Sequence, residues 1–560
     1  MPLDYPKVLL ISALAKAGYN IAPGIGLYQL QHYVQQRGVP CEFVDRELTD
    51  IDEYLVRVEA GEFDIVGFSV TRVNMLEDLK LIWTFKQAVI RSGRKVMFIV
   101  GGQEAVQNHD QWLDFGIDAV IIGYAEKMLL EFCCRLRNCG GVEVADIPTV
   151  FGDMAGIAFK RPDGTYVFNP APMLDEAGFR ELFYTQRKTL VLPFQKYWER
   201  MRREISDYSV GGAEFTIENV RILTSSHCPR GCGFCNSQTF LPISFGGPTP
   251  IIMLSADEII DLVLMHIDSD GARSFLFSDD DFPISNKAGL NRLQRFCERI
   301  IELKASGRID QNMRFSCQSR LLPLMQRADS HGNRHPNLWL IRLMVKAGFL
   351  SIGLGVETFI DRLMLVPSIR KLGYTAKDSQ DVLDTLIEEG LSPQINLILG
   401  IPEYTPEELC ANMDIAISYI VRGCDVAVNP RLKAMPCAPI WNKGLYEIQY
   451  STWDNPMTGK TEKIPMFYIA KDPQVAESMN NYDEAQRFEL NRVVKRKGWE
   501  GKTIHKRVIG VTAMIGVAKS LGNYEQVERF RCILDGIVDN EKDLVSFATR
   551  HSPEQEKIIG

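Results

Sequence analysis

Three cysteines, Cys228, Cys232 and Cys235, lie on one short segment with the spacing C-x3-C-x2-C. Cysteine thiolates are the usual protein ligands of iron–sulfur clusters, and a cubic [4Fe–4S] cluster takes four ligands. Three thiolates would hold three irons and leave the fourth open, and an open position is what separates a catalytic metal site from a closed structural one. The segment therefore predicts a catalytic iron–sulfur cluster.

A structural zinc site is the main alternative for these cysteines. Its fourth ligand would be His227, which adjoins Cys228 and is poorly placed to share a tetrahedron with it. The sequence offers no second C-x2-C pair to complete such a site. Unrelated buried cysteines are a further alternative, but Pro229, Gly231 and Gly233 are typical of a tight loop rather than a core element.

The composition is that of an ordinary globular protein. The chain has 560 residues, 46% of them hydrophobic and 24% charged, which is enough for about three or four domains. A net charge of −8 argues against a mainly electrostatic nucleic-acid or membrane surface. We expect neither a signal peptide nor a membrane span. The thirteen dispersed cysteines are typical of a reducing cytoplasm.

Residues 1–145 alternate between apolar runs and helical patterns such as Leu27–Gln36 and Leu76–Arg91. The apolar runs favour buried parallel strands at Val8–Ser12, Cys41–Asp45, Asp64–Val70, Lys95–Gly102 and Asp118–Gly123. This predicts a doubly wound, Rossmann-like sheet that binds its ligand at the carboxyl ends of the strands. The polar and glycine residues at those ends are Tyr19, Asn20, Ser69, Thr71, Gly101, Gly102, Gln103, Gly123 and Tyr124.

This module resembles the cobalamin-binding domain that precedes the radical S-adenosylmethionine (SAM) domain in one large subfamily. The similarity lies in Pro23–Leu27, Asp64–Ser69, the Gly101-Gly102 pair and the turn from Gly123 to Glu126. The resemblance implies that the strand-end residues named above, with Glu126, bind cobalamin. No Asp-x-His-x-x-Gly motif occurs, so we expect no lower axial imidazole ligand. A flavodoxin-like domain that binds another ligand, or none, is the alternative.

Residues 146–215 are expected to form a linker with a β-hairpin over Ile157–Phe168, which turns at Pro162-Asp163-Gly164. A second alternation of strands and helices follows over residues 216–440. Ser255–Glu258 and Thr405–Glu408 are capping boxes that begin two of its helices. Strands are expected at Val220–Thr224, Ser274–Ser278, Met313–Ser316, Ser351–Gly355, Ile395–Gly400 and Val426–Asn429. Six such units predict a partial (β/α)6 barrel with its chemistry at the carboxyl ends of the strands.

Residues 441–560 are expected to form a mostly helical C-terminal domain, with helices at Val475–Val493, Val508–Lys519 and Tyr524–Asp539. No motif in this part of the chain indicates a particular chemistry. Cys437, just before it, is expected to be a buried filler residue.

The cysteine segment resembles the signature of the radical SAM superfamily, whose open iron chelates the amino and carboxylate groups of SAM. In that family an aromatic residue beside the last cysteine contacts adenine, acidic groups receive the ammonium, and a Gly-x-Glu glutamate binds the ribose. Arg320 is placed to clamp the SAM carboxylate. The resemblance thus implies a SAM site made of Phe234, Asp279, Asp280, Ser316, Gln318, Arg320, Glu357 and Leu399.

The two resemblances together imply a cobalamin-dependent radical SAM enzyme with a [4Fe–4S] cluster, SAM and cobalamin. The expected reaction is methyl transfer to an unactivated carbon, or a phosphinate phosphorus, of a small-molecule biosynthetic intermediate through a 5′-deoxyadenosyl radical and methylcobalamin. We assign no catalytic side chain, because the cofactors carry the hard chemistry. A flavodoxin- or ferredoxin-type protein would supply electrons, and no nucleic-acid partner is expected.

Three alternatives stay open. The first is a cobalamin-dependent radical SAM cyclase or rearrangement enzyme that transfers no methyl group. The second is an RNA-modifying radical SAM enzyme with a non-cobalamin N-terminal domain, supported by one short basic cluster, Lys495–Lys497, with Lys502, Lys506 and Arg507 nearby. The third is a cobalamin-binding sensor without enzymatic activity.

Overall fold

The computed structural model describes residues 4–12, 22–204, 218–330, 333–441, 443–500, 502–504, 506–540 and 545–547. The predicted cobalamin-binding residues Tyr19 and Asn20 lie outside these residues.

The first module is built on a parallel sheet. Its strands are β1 (Val8–Ile11), β2 (Cys41–Val44), β3 (Ile65–Ser69), β4 (Met97–Gly101) and β5 (Ala119–Ile121). The strand order β2-β1-β3-β4-β5 is that of flavodoxin-like sheets, which confirms the predicted doubly wound fold. Its helices are Ile25–Gln35, Asp52–Glu59, Met75–Ser92, Gln103–Gln107, His109–Asp114 and Ala125–Cys139.

The hairpin expected within the linker forms the edge of this first sheet. Its strands β6 (Ile157–Lys160) and β7 (Tyr166–Asn169) are antiparallel, and β6 pairs antiparallel with β5. The sheet therefore has seven strands and continues past residue 145. A short helix at Ile147–Phe151 precedes the hairpin in the chain, and helices at Glu176–Arg180, Gln186–Thr189 and Phe194–Glu204, with a π-helical turn at Glu181–Thr185, follow it.

The second module contains all six strands that the sequence predicts, each within a few residues of its expected bounds. They are β8 (Asn219–Ile222), β9 (Ser274–Phe277), β10 (Arg314–Ser319), β11 (Phe349–Glu357), β12 (Ser392–Ile398) and β13 (Asp425–Asn429). All neighbours are parallel and follow chain order, so the strand ends that follow each βα unit share one edge.

The helices of the second module begin where their capping residues predict. Ser255 and Thr405 each accept a hydrogen bond from the backbone of the glutamate three residues later, and that glutamate bonds back to the cap. The helices are Ser237–Phe245, Ala256–Asp270, Lys287–Ala305, Leu338–Ala347, Asp361–Leu365, Ala376–Glu388 and Pro406–Val421, with a 3-10 turn at Leu322–Leu324.

The C-terminal region has the three expected helices, at Pro473–Lys497, Lys506–Ser520 and Tyr524–Asn540. It also contains an antiparallel hairpin of β14 (Ile448–Asn455) and β15 (Lys460–Tyr468), which the sequence analysis did not predict. A short pair, β16 (Lys502–Ile504) and β17 (Val545–Phe547), completes the region. Among the described residues, no helix combines the length and apolar character that a membrane crossing requires.

The β14–β15 hairpin joins the two modules. On the barrel side, the amide of Tyr468 donates to the Leu432 carbonyl at 2.9 Å, just after β13. On the side of the first module, the Gln111 side chain donates to the Lys463 carbonyl at 2.9 Å. The rings of Phe115 and Trp453 form an edge-to-face pair at 6.1 Å. The hairpin thus holds the two sheets in a fixed relation.

We expect Trp453→Ala to lower the free energy of unfolding by about 1 kcal/mol or more, because it removes this aromatic pair and the area it buries. Urea denaturation measures the change, with unfolding followed by the far-ultraviolet circular dichroism of the backbone rather than by tryptophan fluorescence. Trp339, whose surface is 56% exposed, provides the control. Equal stability losses for Trp453→Ala and Trp339→Ala would contradict the assigned role of the hairpin.

Candidate functional site

The three cysteines of the predicted cluster follow the carboxyl end of β8 and lie on one turn. Cys232 is buried, Cys228 and Cys235 are partly exposed, and the Cys235 amide donates to the Cys232 carbonyl at 3.3 Å. Burial raises the pKa of Cys228 to about 12, and the charge of Cys235 adds to that rise, so the two thiols lie within electrostatic range. Burial also raises the pKa of Cys235, and Cys232 contributes. The three thiols therefore lie on one short loop, with Cys235 in electrostatic range of the other two.

Thiols that hold a cubane bind different irons, so they are spaced more widely than the ligands of a single ion. Within the described ranges, no group of three or more His, Cys, Asp or Glu side chains has an arrangement suited to one metal ion.

The cysteine loop is anchored by a close approach at Gly233. Its amide donates to the Ile369 carbonyl at 3.0 Å, and its carbonyl accepts from the Ile440 amide at 3.2 Å. A Cβ atom on Gly233 would lie 1.8 Å from the Pro367 carbonyl oxygen, which no side chain can tolerate. Glycine at this position lets the loop pass between two other segments of the barrel.

The two aspartates predicted to receive the SAM ammonium have different surroundings. Asp279 is 1% exposed, and its carboxylate accepts from the Thr224 amide at 3.1 Å, the Thr224 hydroxyl at 3.0 Å and the Ser225 hydroxyl. It therefore braces the chain that leads from β8 into the cysteine loop. Asp280 is solvent-accessible, yet burial by the surrounding protein raises the pKa of its carboxyl, as expected for the wall of a cleft.

Ser316, Gln318 and Arg320 share one face of β10 and its continuation. All three are partly exposed, whereas the residues between them, Cys317 and Ser319, are buried. This alternation is the one that the sequence predicts.

Arg320 has unsatisfied hydrogen-bond donors. Its Nε and Nη2 atoms are buried and have no partner at hydrogen-bond distance and angle, and the same holds for the Tyr374 hydroxyl. The guanidinium lies 5.9 Å from the centre of the Tyr374 ring. Burial lowers the pKa of Arg320, but the nearby Tyr374 and Cys232 raise it by more, so the net shift is upward. The influence of Cys232 indicates that the cation lies near the cysteine loop. Buried donors without partners fit an anionic ligand such as the SAM carboxylate.

Glu357 ends β11 in a left-handed conformation with φ 66°, unusual for a residue other than glycine. Its Oε1 atom lies 2.9 Å from Nζ of Lys371, and both side chains are nearly buried. Sequence reasoning missed Lys371, because no local pattern links it to Glu357. Leu399 is fully buried directly after β12, and Phe234 is half-buried against the core.

At the carboxyl edge of the first sheet, Ser69, Gly101, Gly102 and Gln103 lie together. A Cβ atom on Gly102, whose φ is 101°, would lie 3.8 Å from the Ser69 hydroxyl. Nearby, the Thr71 amide donates to Asp78 at 3.1 Å, and the Thr71 hydroxyl is buried without a partner. A glycine-lined edge with an unsatisfied hydroxyl fits a large polar cofactor.

The other predicted cobalamin residues contact protein. The Tyr124 hydroxyl, on the residue after Gly123, donates to the Ser226 carbonyl at 3.2 Å. Glu126 is 7% exposed and accepts from the Gln29 side chain at 2.8 Å. Both residues therefore connect elements of the chain.

A network of amides joins the first module to the cysteine loop at Asn236, the residue after Cys235. Gln107 donates to the Asn236 carbonyl at 2.6 Å and accepts from its side chain at 2.5 Å. Gln103 donates to the Asn236 side chain at 3.3 Å. The carboxyl edges of the two sheets thus meet beside the cysteines.

Cys437 also reaches this junction. It is half-buried with φ 61°, and its thiol donates to the Gln107 carbonyl at 3.1 Å. Burial raises the pKa of this thiol to about 11. The residue therefore makes a contact between the modules, beyond the filler role expected of it.

Comparisons with known proteins agree with this two-module architecture. The model of the B12 binding domain matches residues 11–132, and that of the radical SAM superfamily matches residues 222–416. The structure of the methyltransferase TsrM from Kitasatospora setae, with cobalamin and a [4Fe–4S] cluster bound, aligns with a TM-score of 0.59 at 15% identity, covering 94% of this chain and 99% of that one.

A second similar structure is that of OxsB, a cobalamin-dependent S-adenosylmethionine radical enzyme, with aqua-cobalamin and SAM bound. It aligns with a TM-score of 0.61 at 12% identity, covering 99% of this chain and 83% of that one. At these identities the likeness establishes the fold alone. No curated protein matches the sequence.

We expect Gly233→Ala to abolish cluster binding, because the added methyl group cannot fit beside Pro367. The iron and sulfide content after anaerobic reconstitution should fall from that of a full cluster in the parent protein to near zero in the variant. Gly231→Ala, in the same loop, is the control, since its Cβ would meet only the Gln238 side chain at 3.5 Å. Full iron content in Gly233→Ala would contradict the assigned loop geometry.

We expect Arg320→Lys to weaken SAM binding about tenfold, because a lysine cannot reproduce the two-pronged contact of a guanidinium with a carboxylate. Anaerobic calorimetry of the reconstituted protein measures the affinity. Arg314→Lys, at the opposite end of β10, is the matched control. The SAM assignment fails if both variants bind SAM like the parent protein.

Proposed function

Because the chain belongs to the radical SAM superfamily and carries an N-terminal B12 binding domain, we propose that it is a cobalamin-dependent methyltransferase. Its substrate would be an unactivated carbon, or a phosphinate phosphorus, of a small-molecule biosynthetic intermediate. The observation that carries the proposal is the contact of Gln103 and Gln107 with Asn236, beside Cys235. It joins the two sheet edges that would bind the cofactors.

The residues of the barrel edge fit a cluster and SAM. Cys228, Cys232 and Cys235 would ligate three irons, and the unpaired donors of Arg320 would take the SAM carboxylate. Among the acidic groups, Asp280 is the one left accessible for the ammonium.

The remaining predicted SAM residues would shape the rest of that site. Glu357, held by Lys371, would bind the ribose, with Ser316 and Gln318 alongside. Phe234 and Leu399 would form the apolar walls near the adenine. Asp279 would act indirectly, by fixing the entry to the cysteine loop.

Ser69, Thr71, Gly101, Gly102 and Gln103 would line the cobalamin site. Their edge supplies the glycine backbone and the free hydroxyl that a large polar cofactor needs. Tyr124 and Glu126, which the resemblance also assigns to cobalamin, would help to hold this edge in place through their hydrogen bonds with Ser226 and Gln29.

When bound, these cofactors supply a radical for hydrogen abstraction and a transferable methyl group. The chain's own task is to hold three reactants in line and to keep water away from them. Correct orientation of reactants can remove about 7–11 kcal/mol of an activation barrier. The fixed junction at Asn236 is suited to this task.

The basic cluster Lys495–Lys497 gives little support to the RNA-modifying alternative. Nη2 of Arg496 lies 3.1 Å from Asp535, and Nζ of Lys497 lies 2.7 Å from Asp539. Carboxylates on the neighbouring helix therefore neutralise much of the charge that RNA phosphates would need.

Product analysis tests the proposed function. The anaerobically reconstituted protein, with cobalamin, is incubated with SAM, a reductant and a small-molecule extract of the cells in which the protein naturally occurs. We expect S-adenosylhomocysteine to form alongside 5′-deoxyadenosine, and both to disappear in Cys232→Ala. Formation of 5′-deoxyadenosine alone would instead favour cyclisation or rearrangement, and formation of neither product would overturn the proposal.

A further inference from the structure

A cation lies inside the cysteine segment. Arg230 stands between Cys228 and Cys232, and its side chain is 23% exposed. Its Nε atom donates to Oδ2 of Asp281 at 3.2 Å, and its Nη2 atom donates to the Ser285 hydroxyl. The fork of the guanidinium thus ties the cysteine loop to the segment that follows β9.

Asp281 is the buried centre of this arrangement. Its side chain is 1% exposed, and its second oxygen, Oδ1, accepts from the backbone amide of Arg320 at 3.2 Å. The Asp281 carboxylate therefore connects the cysteine loop, through Arg230, with the backbone of Arg320.

The backbone around Asp281 is held as firmly as its side chain. The Phe282 amide donates to the Gln318 carbonyl at 3.0 Å, which fixes the segment to β10. The Phe282 carbonyl accepts from the buried Arg292 at 2.8 Å. Asp281 consequently has little freedom to follow either of its partners.

We propose that Arg230 and Asp281 are positioning residues that set the cysteine loop against the Arg320 clamp. This inference rests on the proposed cluster and SAM sites. SAM would have to reach an open iron and the Arg320 guanidinium at the same time, so the separation of these two groups decides whether one molecule can do both. A buried, charge-assisted bridge is stiffer than a surface ion pair and fixes that separation.

Arg230 has a second effect, through charge. The Asp281 side chain is 1% exposed, and it pairs with Arg230, which lies between Cys228 and Cys232 in the sequence. A buried carboxylate is unfavourable unless a cation compensates it. Arg230 supplies this cation from within the loop itself.

Asp281→Asn is the direct test, because it keeps the shape of the side chain and removes the charge. We expect the reconstituted variant to bind SAM about tenfold more weakly than the parent, as the loss of a charge-assisted bond predicts. We also expect the change that SAM causes in the electron paramagnetic resonance spectrum of the reduced cluster to weaken or disappear. A residue that only stabilised the fold would leave this spectral change intact.

Two further variants keep the test decisive if Asp281→Asn fails to fold. Arg230→Lys keeps the charge but not the fork, and Ser285→Ala removes only the second contact of Arg230. We expect Ser285→Ala to lower SAM affinity by about threefold and Arg230→Lys to lower it by more. Asp257→Asn is the control, since Asp257 pairs with Arg295 at 2.8 Å on the exposed surface of the same barrel.

Parent-like SAM affinity and spectra in Asp281→Asn would overturn the proposal, and so would parent-like behaviour of both Arg230→Lys and Ser285→Ala. These readouts need only the cluster and SAM. A parent protein that binds both but forms no S-adenosylhomocysteine would therefore contradict the proposed methyl transfer and leave the positioning role standing.

Discussion

The reciprocal amide contact between Gln107 and Asn236 is the interaction on which the rest of the architecture depends. Both residues are 5% exposed; the Asn236 side chain donates to the Gln107 side-chain oxygen, and the Gln107 side chain donates to the Asn236 backbone carbonyl. Buried amides carry a penalty of about 1–3 kcal/mol when one partner is lost. The two modules therefore have one preferred docking, and it brings the ligand-binding edge of the first sheet to the residue after Cys235.

The cysteine loop is held by contacts with the first module and with several segments of the barrel. Gly233 threads between Ile369 and Ile440, Asp279 holds the chain as it leaves β8, and Arg230 reaches Asp281. None of these contacts involves a thiol. The loop is thus held in shape by its own backbone and by charged side chains, which leaves the cysteines available to ligate metal.

Local sequence patterns were sufficient to predict the strands whose apolar residues are buried beneath helices. All six barrel strands and the first five strands of the N-terminal sheet occur where continuous hydrophobic runs predict them, and the capping boxes at Ser255 and Thr405 mark true helix starts. The cysteine spacing likewise predicts a cluster site, because the proposed ligands are neighbours in sequence.

Contacts between distant segments could not be predicted in this way. The β14–β15 hairpin carries strand-forming residues and a turn at Gly459, but charged residues interrupt its alternation, and its partners lie in both modules. Lys371 is paired with Glu357 only in the folded barrel. The hydrogen bonds of Tyr124 to Ser226 and of Gln29 to Glu126 likewise join segments that are distant in sequence.

The distance between the proposed cluster and the proposed cobalamin is the decisive test of the junction at Asn236. Dipolar electron paramagnetic resonance on the reconstituted protein, with the cluster reduced and the cobalt in its paramagnetic state, reports how close the two centres are. We expect a strong, narrowly distributed coupling in the parent protein and a broadened one in Asn236→Leu. A parent protein without measurable coupling between the centres would contradict this expectation.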